Sequence, residues 1–182
     1  FSADFVTPDI ERLDAIGTSN QVAFQVASQA ASLISPERQE LDSILPGPPT
    51  STDYLVFLTD SSSSYQCSTC PEQSILAPEA LQQAILRLYG TTAGGQAVSS
   101  HFVSYSFVEL SNLLEGNPIE GMEPALRRAT WVVISVTDVS SAQSQLVPQF
   151  LAQRQDLKRE KKIILFSFGA PYYFDSTDIA KL

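Results

Sequence analysis

Tyr54-Leu55-Val56-Phe57-Leu58 is a short, nearly continuous apolar run, with a proline-rich segment before it and a run of serines after it. A strand with one wet face alternates apolar and polar residues. A run without that alternation fits a strand buried on both faces. Working outward, further strands are predicted over His101–Phe107, Trp131–Val136 and Lys162–Phe168. Helical patterns lie between them. Pro78 opens a helix that carries Leu81, Ile85 and Leu88 on one side, and Gly90 ends it. Val108–Leu114 and Met122–Ala129 read as two short helices. Ser140 or Ser141 caps a helix that continues to about Lys158, with basic residues in its last turns. Strand and helix therefore alternate. Adjacent parallel strands need a crossover, and a helix packed on the sheet face provides it. Right-handed crossovers give the predicted fold, an α/β three-layer sandwich around a mainly parallel, flavodoxin-like open sheet.

Upstream of this core, Ile10, Leu13, Ile16, Val22, Val26, Ala30 and Leu33 fall at mostly helical spacing, with Gly17 as a point of division. Pro36, Pro46, Pro48 and Pro49 then mark an irregular connection. The expected organisation is a helical segment and linker over residues 1–50, leading into an α/β sandwich over 51–182. At 182 residues this amounts to one well-buried domain. A start at Phe1 rather than Met, and a helix begun at Asp175 and cut off at Leu182, suggest a piece of a longer chain.

Eleven Lys and Arg stand against twenty Asp and Glu, for a formal charge of −9. That balance repels phosphate backbones and anionic lipid, so nucleic acid and membrane surfaces are excluded as expected partners. No stretch has the length of an uncharged apolar membrane span.

In an open parallel sheet, ligands lie beyond the carboxyl ends of the strands, near the reversal of strand order. The residues leaving those ends include Thr59 and Asp60, Ser106, Thr137 and Asp138, and the segment from Gly169 to Tyr172. Asp60, Asp138 and Tyr172 are therefore the candidate ligand-binding residues. If the first and third strands are neighbours, the two aspartates approach each other. Paired carboxylates bind sugar hydroxyls, hold a divalent cation or divide acid and base roles. Each also caps the loop or helix after its strand, since Asp is favoured there.

His101 is the only histidine, at the amino end of its strand and away from that crevice. A Ser-His-Asp or Cys-His arrangement has no base in place, and no Gly-x-Ser-x-Gly elbow occurs. Cys67 and Cys70 form the one cysteine pair. Zinc needs two further ligands that the chain does not offer in a usual set, so no metal is expected. Loop residues separate the pair from the preceding strand, which argues against a thioredoxin-like role. A local disulfide, two reduced thiols or a redox module built on the pair remain, and the disulfide suits an extracytoplasmic protein. The serine run from Ser61 to Ser64 is similar to the phosphate loop of a flavin-binding fold, but it lacks glycine. A small-ligand module for a nucleotide or a sugar is the alternative reading. No Gly-x-Gly-x-x-Gly or Walker loop occurs, and no cofactor is expected.

Two stretches carry a family resemblance. One runs from Asn20 to Ile34, NQVAFQVASQAASLI, and the other from Ile163 to Tyr172, IILFSFGAPY. The stretch from Asn20 resembles the helix that enters the C-terminal domain of family-three glycoside hydrolases. The stretch from Ile163 resembles that domain's strand followed by a Gly-x-Pro-Tyr turn. Trp131–Thr137 followed by Gln145–Phe150 is similar, more loosely, to its strand-then-helix pattern. The resemblance implies an accessory sandwich that packs on a catalytic barrel absent from this chain, with carbohydrate as a possible ligand. It carries no catalytic residue here. The family's Glu-Gly-x-Asp-Arg-like loop falls on Thr137–Gln143, TDVSSAQ, which has no glutamate, glycine or arginine. That departure is closer to the β-N-acetylglucosaminidase branch, where the acid/base histidine belongs to the barrel.

Overall fold

The computed structural model describes residues 21–35, 37–40, 47–61, 63–65, 67–74, 76–137, 145–160 and 162–168. The chain divides into two compact units, Phe1–Pro46 and Gly47–Leu182. The second begins at Gly47, a little ahead of the expected 51. In the first unit, residues 21–30 form helix α1. Gln21, Gln25 and Gln29 recur at four-residue spacing as a polar stripe, and Val22 and Val26 follow a neighbouring line. Val22, Phe24 and Val26 are all exposed. Ile10, Leu13 and Ile16 lie outside the described residues.

The second unit opens with strand β1 (Leu55–Thr59). A small antiparallel hairpin follows, β2 (Ser63–Tyr65) and β3 (Glu72–Ser74), which no apolar pattern in the sequence announces. Helix α2 (Ala80–Tyr89) ends at Gly90, where a Cβ would run into the Leu86 carbonyl oxygen. Strand β4 (Phe102–Ser106) leads directly into α3 (Phe107–Leu114), and α4 (Met122–Arg128) precedes β5 (Trp131–Val136). Two short helices, α5 (Leu146–Gln153) and α6 (Gln155–Glu160), precede β6 (Lys162–Ser167). The single helix expected up to Lys158 is thus broken at Arg154, which turns out of helical geometry at φ −112°, ψ 56°. Its guanidinium is bonded to Asp156 on one side and to Glu123 of α4 on the other. The expected caps Ser140 and Ser141 lie outside the described residues.

The large sheet has the order β4-β1-β5-β6, with every pairing parallel. From β1 the chain steps to one side for β4 and then crosses to β5 on the other, so strand order reverses between β1 and β5. This is the flavodoxin-like arrangement.

Burial explains why the strand sequences read as unbroken apolar runs. One face presents Val56, Leu58, Tyr105, Val132, Ile134 and Val136, packed under buried residues of α3 to α6 such as Phe107, Leu110, Leu126 and Phe150. The opposite face presents Leu55, Phe57, Phe102, Trp131 and Val133, covered by Leu81, Ile85 and Leu86 of α2. Successive residues of each strand point to opposite layers, and both layers are apolar. Phe57 is fully buried with its ring 5.9 Å from that of Phe102. Burial of such a side chain stabilises the fold by about 1.5–3 kcal/mol.

The helices owe their positions to local signals as well. Ser106 and Glu109 form a capping box at the start of α3, each side chain bonding the other residue's backbone N–H. Gly121, at φ 75°, supplies the left-handed residue that starts α4.

Candidate functional site

The parallel sheet delivers Thr59, Ser106 and Ser135 to its carboxyl end in one register row, since Thr59 pairs with both serines. Asp60 follows Thr59 directly and therefore sits at the reversal of strand order, beside the end of β5. It is completely buried. Its backbone N–H donates to the Ser135 carbonyl at 2.9 Å, extending the β1–β5 ladder by one step. Its carboxylate oxygen Oδ2 accepts from the Thr137 N–H at 3.0 Å and from the Thr137 hydroxyl at 2.8 Å.

A buried carboxylate is tolerated when hydrogen bonds replace its lost hydration. Asp60 meets that condition at Oδ2, which clamps the residue that leaves β5. It acts as a brace between two diverging chain segments. A general acid or a nucleophile instead needs a carboxyl group that reaches a substrate atom. Glu109, a further carboxylate among the described residues at this end, is not among the site residues expected from sequence. It belongs to the capping box and accepts from the Ser106 N–H at 2.7 Å and hydroxyl at 2.8 Å. The Ser-x-x-Glu spacing is the available signal for it. Ser135 Oγ is buried without a hydrogen-bond partner, on the same layer as Thr59. The Thr59 hydroxyl donates to the Pro78 carbonyl at 3.0 Å, tying the segment before α2 to the sheet.

Asp138 and Tyr172, the other two candidate residues, lie outside the described residues. Cys67 and Cys70 are joined in a disulfide with a Cα separation of 5.0 Å, in the turn between β2 and β3. The Cys70 N–H also bonds the Cys67 carbonyl, so backbone and sulfur close the same tight turn. Ser63–Tyr65 is a strand paired with β3, so this part of the serine run does not open a helix as a phosphate-gripping loop would. His101 stacks on Tyr54 at the opposite, amino end of the sheet, with ring centroids 4.0 Å apart. Among the described residues no group of three or more His, Cys, Asp or Glu side chains is placed to hold a metal ion. Among them, too, no helix is long and apolar enough to cross a membrane.

Among the described residues the carboxyl end thus offers a row of hydroxyls and two carboxylates, both carboxylates holding chain segments in place. In comparisons with known proteins, no family model, no curated protein and no solved structure matches the chain.

Proposed function

We propose that this chain serves as a non-catalytic accessory domain of a glycoside hydrolase, of β-N-acetylhexosaminidase or β-glucosidase type, supporting a catalytic barrel that it does not itself contain. The observation that carries this reading is the state of Asp60. Glycosidic cleavage uses two carboxyl groups that flank the scissile bond. Here the carboxylate at the reversal of strand order accepts two hydrogen bonds from Thr137. Glu109 is engaged in a helix cap.

Exposed apolar side chains support a docking role. Phe166 and Phe168 stay exposed at edge strand β6, with ring centroids 6.5 Å apart. In the first unit, Val22, Phe24 and Val26 are exposed on α1. Large apolar side chains left in water in this way are common where another surface packs. They fall within the two stretches that carry the family resemblance.

The test is an assay of the purified chain with an aryl N-acetyl-β-glucosaminide and an aryl β-glucoside. The chain alone is expected to release no aryl alcohol above the uncatalysed rate. Turnover by this chain, abolished in Asp60→Ala, would refute the reading. A further check is the coding sequence that precedes Phe1, which is expected to encode a barrel.

A further inference from the structure

The disulfide between Cys67 and Cys70 joins residues three apart in sequence, in the turn between β2 and β3. A bridge that closes so short a loop removes little freedom from the unfolded chain, so it stabilises the fold little. None of the described side chains of the hairpin is buried, and Tyr65 is 64% exposed. Both ends of the hairpin segment are fastened without the bridge. Ahead of β2, Asp60 is bonded to Ser135 and Thr137. Beyond β3, the Pro78 carbonyl accepts from the Thr59 hydroxyl. The bridge ties only the tip.

The two sulfurs differ in their surroundings. Cys67 is exposed, whereas Cys70 is half-buried. An incoming thiolate meets the exposed sulfur first, and exposed bridges are the readily reduced ones. The Thr69 hydroxyl lies 3.5 Å from the Cys67 sulfur, within hydrogen-bonding reach. Once the bridge opens, a hydroxyl in that place donates to a thiolate and favours the charged form of Cys67. Cys67 is therefore both the sulfur to attack and the better leaving thiolate. No helix starts at the pair, which makes it a switch within this chain rather than an oxidant for others.

We propose that Cys67 and Cys70 form a reversible thiol–disulfide exchange site whose reducing partner is a dithiol. A thiolate of the dithiol bonds Cys67 Sγ, the Cys67–Cys70 bond breaks, and its electron pair leaves on Cys70 Sγ, which takes up a proton. The second thiolate of the dithiol then attacks its own sulfur in the mixed disulfide and expels Cys67 as a thiolate, which is protonated in turn. The dithiol ends as a disulfide, and its two electrons and two protons end on the cysteines. Reduction frees the hairpin tip beyond the carboxyl end of β1, while β1 and β5 stay paired. This site is independent of the accessory role proposed above.

The full chain in native buffer is treated with dithiothreitol, and the free thiols are alkylated at intervals and counted by mass. Reduction is expected to run within about tenfold of its rate in denaturing urea, because it needs no global unfolding. A larger slowing in buffer overturns the proposal, since the bridge would then open only with the fold. Glutathione disulfide is expected to restore the bridge in the reduced chain, and persistence of both thiols overturns the proposal too. Amide exchange in the reduced chain is expected to quicken in β2 and β3 alone; an unchanged hairpin removes the switch. Cys70→Ser, which keeps Cys67, is expected to form a mixed disulfide with glutathione about tenfold faster than Cys67→Ser. Equal rates overturn the assignment of Cys67 as the attacked sulfur. The measurements on the unaltered chain decide the matter even if a variant fails to fold.

Discussion

Strands β1 and β5 are fastened to each other at both ends by side chains, and the two fastenings differ in chemistry. At the amino end the Thr130 hydroxyl accepts from the Tyr54 N–H at 3.0 Å and donates to the Tyr54 carbonyl at 3.1 Å. At the carboxyl end the Asp60 carboxylate accepts from the N–H and the hydroxyl of Thr137. The first is neutral and only partly buried; the second is a carboxylate with no exposed surface. A hydrogen bond made by a fully buried group costs more to lose than one made where water can replace the partner. The end at which strand order reverses thus carries the stronger clip. That is the end where chain segments diverge and backbone pairing stops.

This contrast predicts a ranking. Asp60→Ala should lower the unfolding free energy by about 2 kcal/mol, because it deletes two hydrogen bonds made by a fully buried side chain and leaves two Thr137 donors without that acceptor. Urea denaturation measures it, and a cost equal to that of a Thr130 variant would erase the difference between the ends. Replacing both Cys67 and Cys70 by serine should cost up to about 2 kcal/mol, since the closed loop is very short. The loss should stay local: amide exchange should quicken in β2 and β3 while β1 and β5 keep their protection. A global loss of protection would show that the hairpin contributes to the main sheet. Thr130→Val should cost about 1 kcal/mol, the value of a neutral clip.

Acid should have the smallest effect, and its sign is fixed. Burial pushes the Asp53 carboxyl up, but bonds from the Thr50 backbone and hydroxyl, with Thr130 and Trp131, outweigh it and hold the group below the ordinary 3.8. A hydrogen bond from Arg154 does the same for Asp156. Both carboxyls are depressed in the folded state, so the unfolded chain takes up protons first as pH falls. The stability they supply is present above the ordinary carboxylate value and is lost as pH drops through the folded one. Urea midpoints at about pH 5 and about pH 3 should therefore differ less in Asp53→Asn than in the parent chain. An equal difference would exclude Asp53 from the acid response.

Much of this architecture is legible in the sequence because two-sided burial leaves an unbroken apolar signature. Leu55 to Leu58 and Trp131 to Val136 read as strands for that reason, and all of these residues are buried. The hairpin is invisible there because SSY and EQS carry no apolar pattern, and its turn is closed by a disulfide and local backbone bonds. Phe107 reads as the end of a strand, although the Ser106–Glu109 capping box makes it the first residue of α3. Asp60 is placed correctly by position and ambiguously by role. Its bonding partner is 77 residues away, a contact that only the paired strands create. The stacking of His101 on Tyr54 is harder still to foresee, since the two come from separate segments.

One measurement bears most directly on the brace at the reversal of strand order, namely a double-mutant cycle of Asp60→Ala and Thr137→Val read by chemical denaturation. A shared hydrogen bond predicts that the two costs fail to add by about 1–2 kcal/mol, the second substitution mattering little once the first is made. Additive costs would mean that the carboxylate does not hold Thr137, and the case against a reacting role for Asp60 would fall with it.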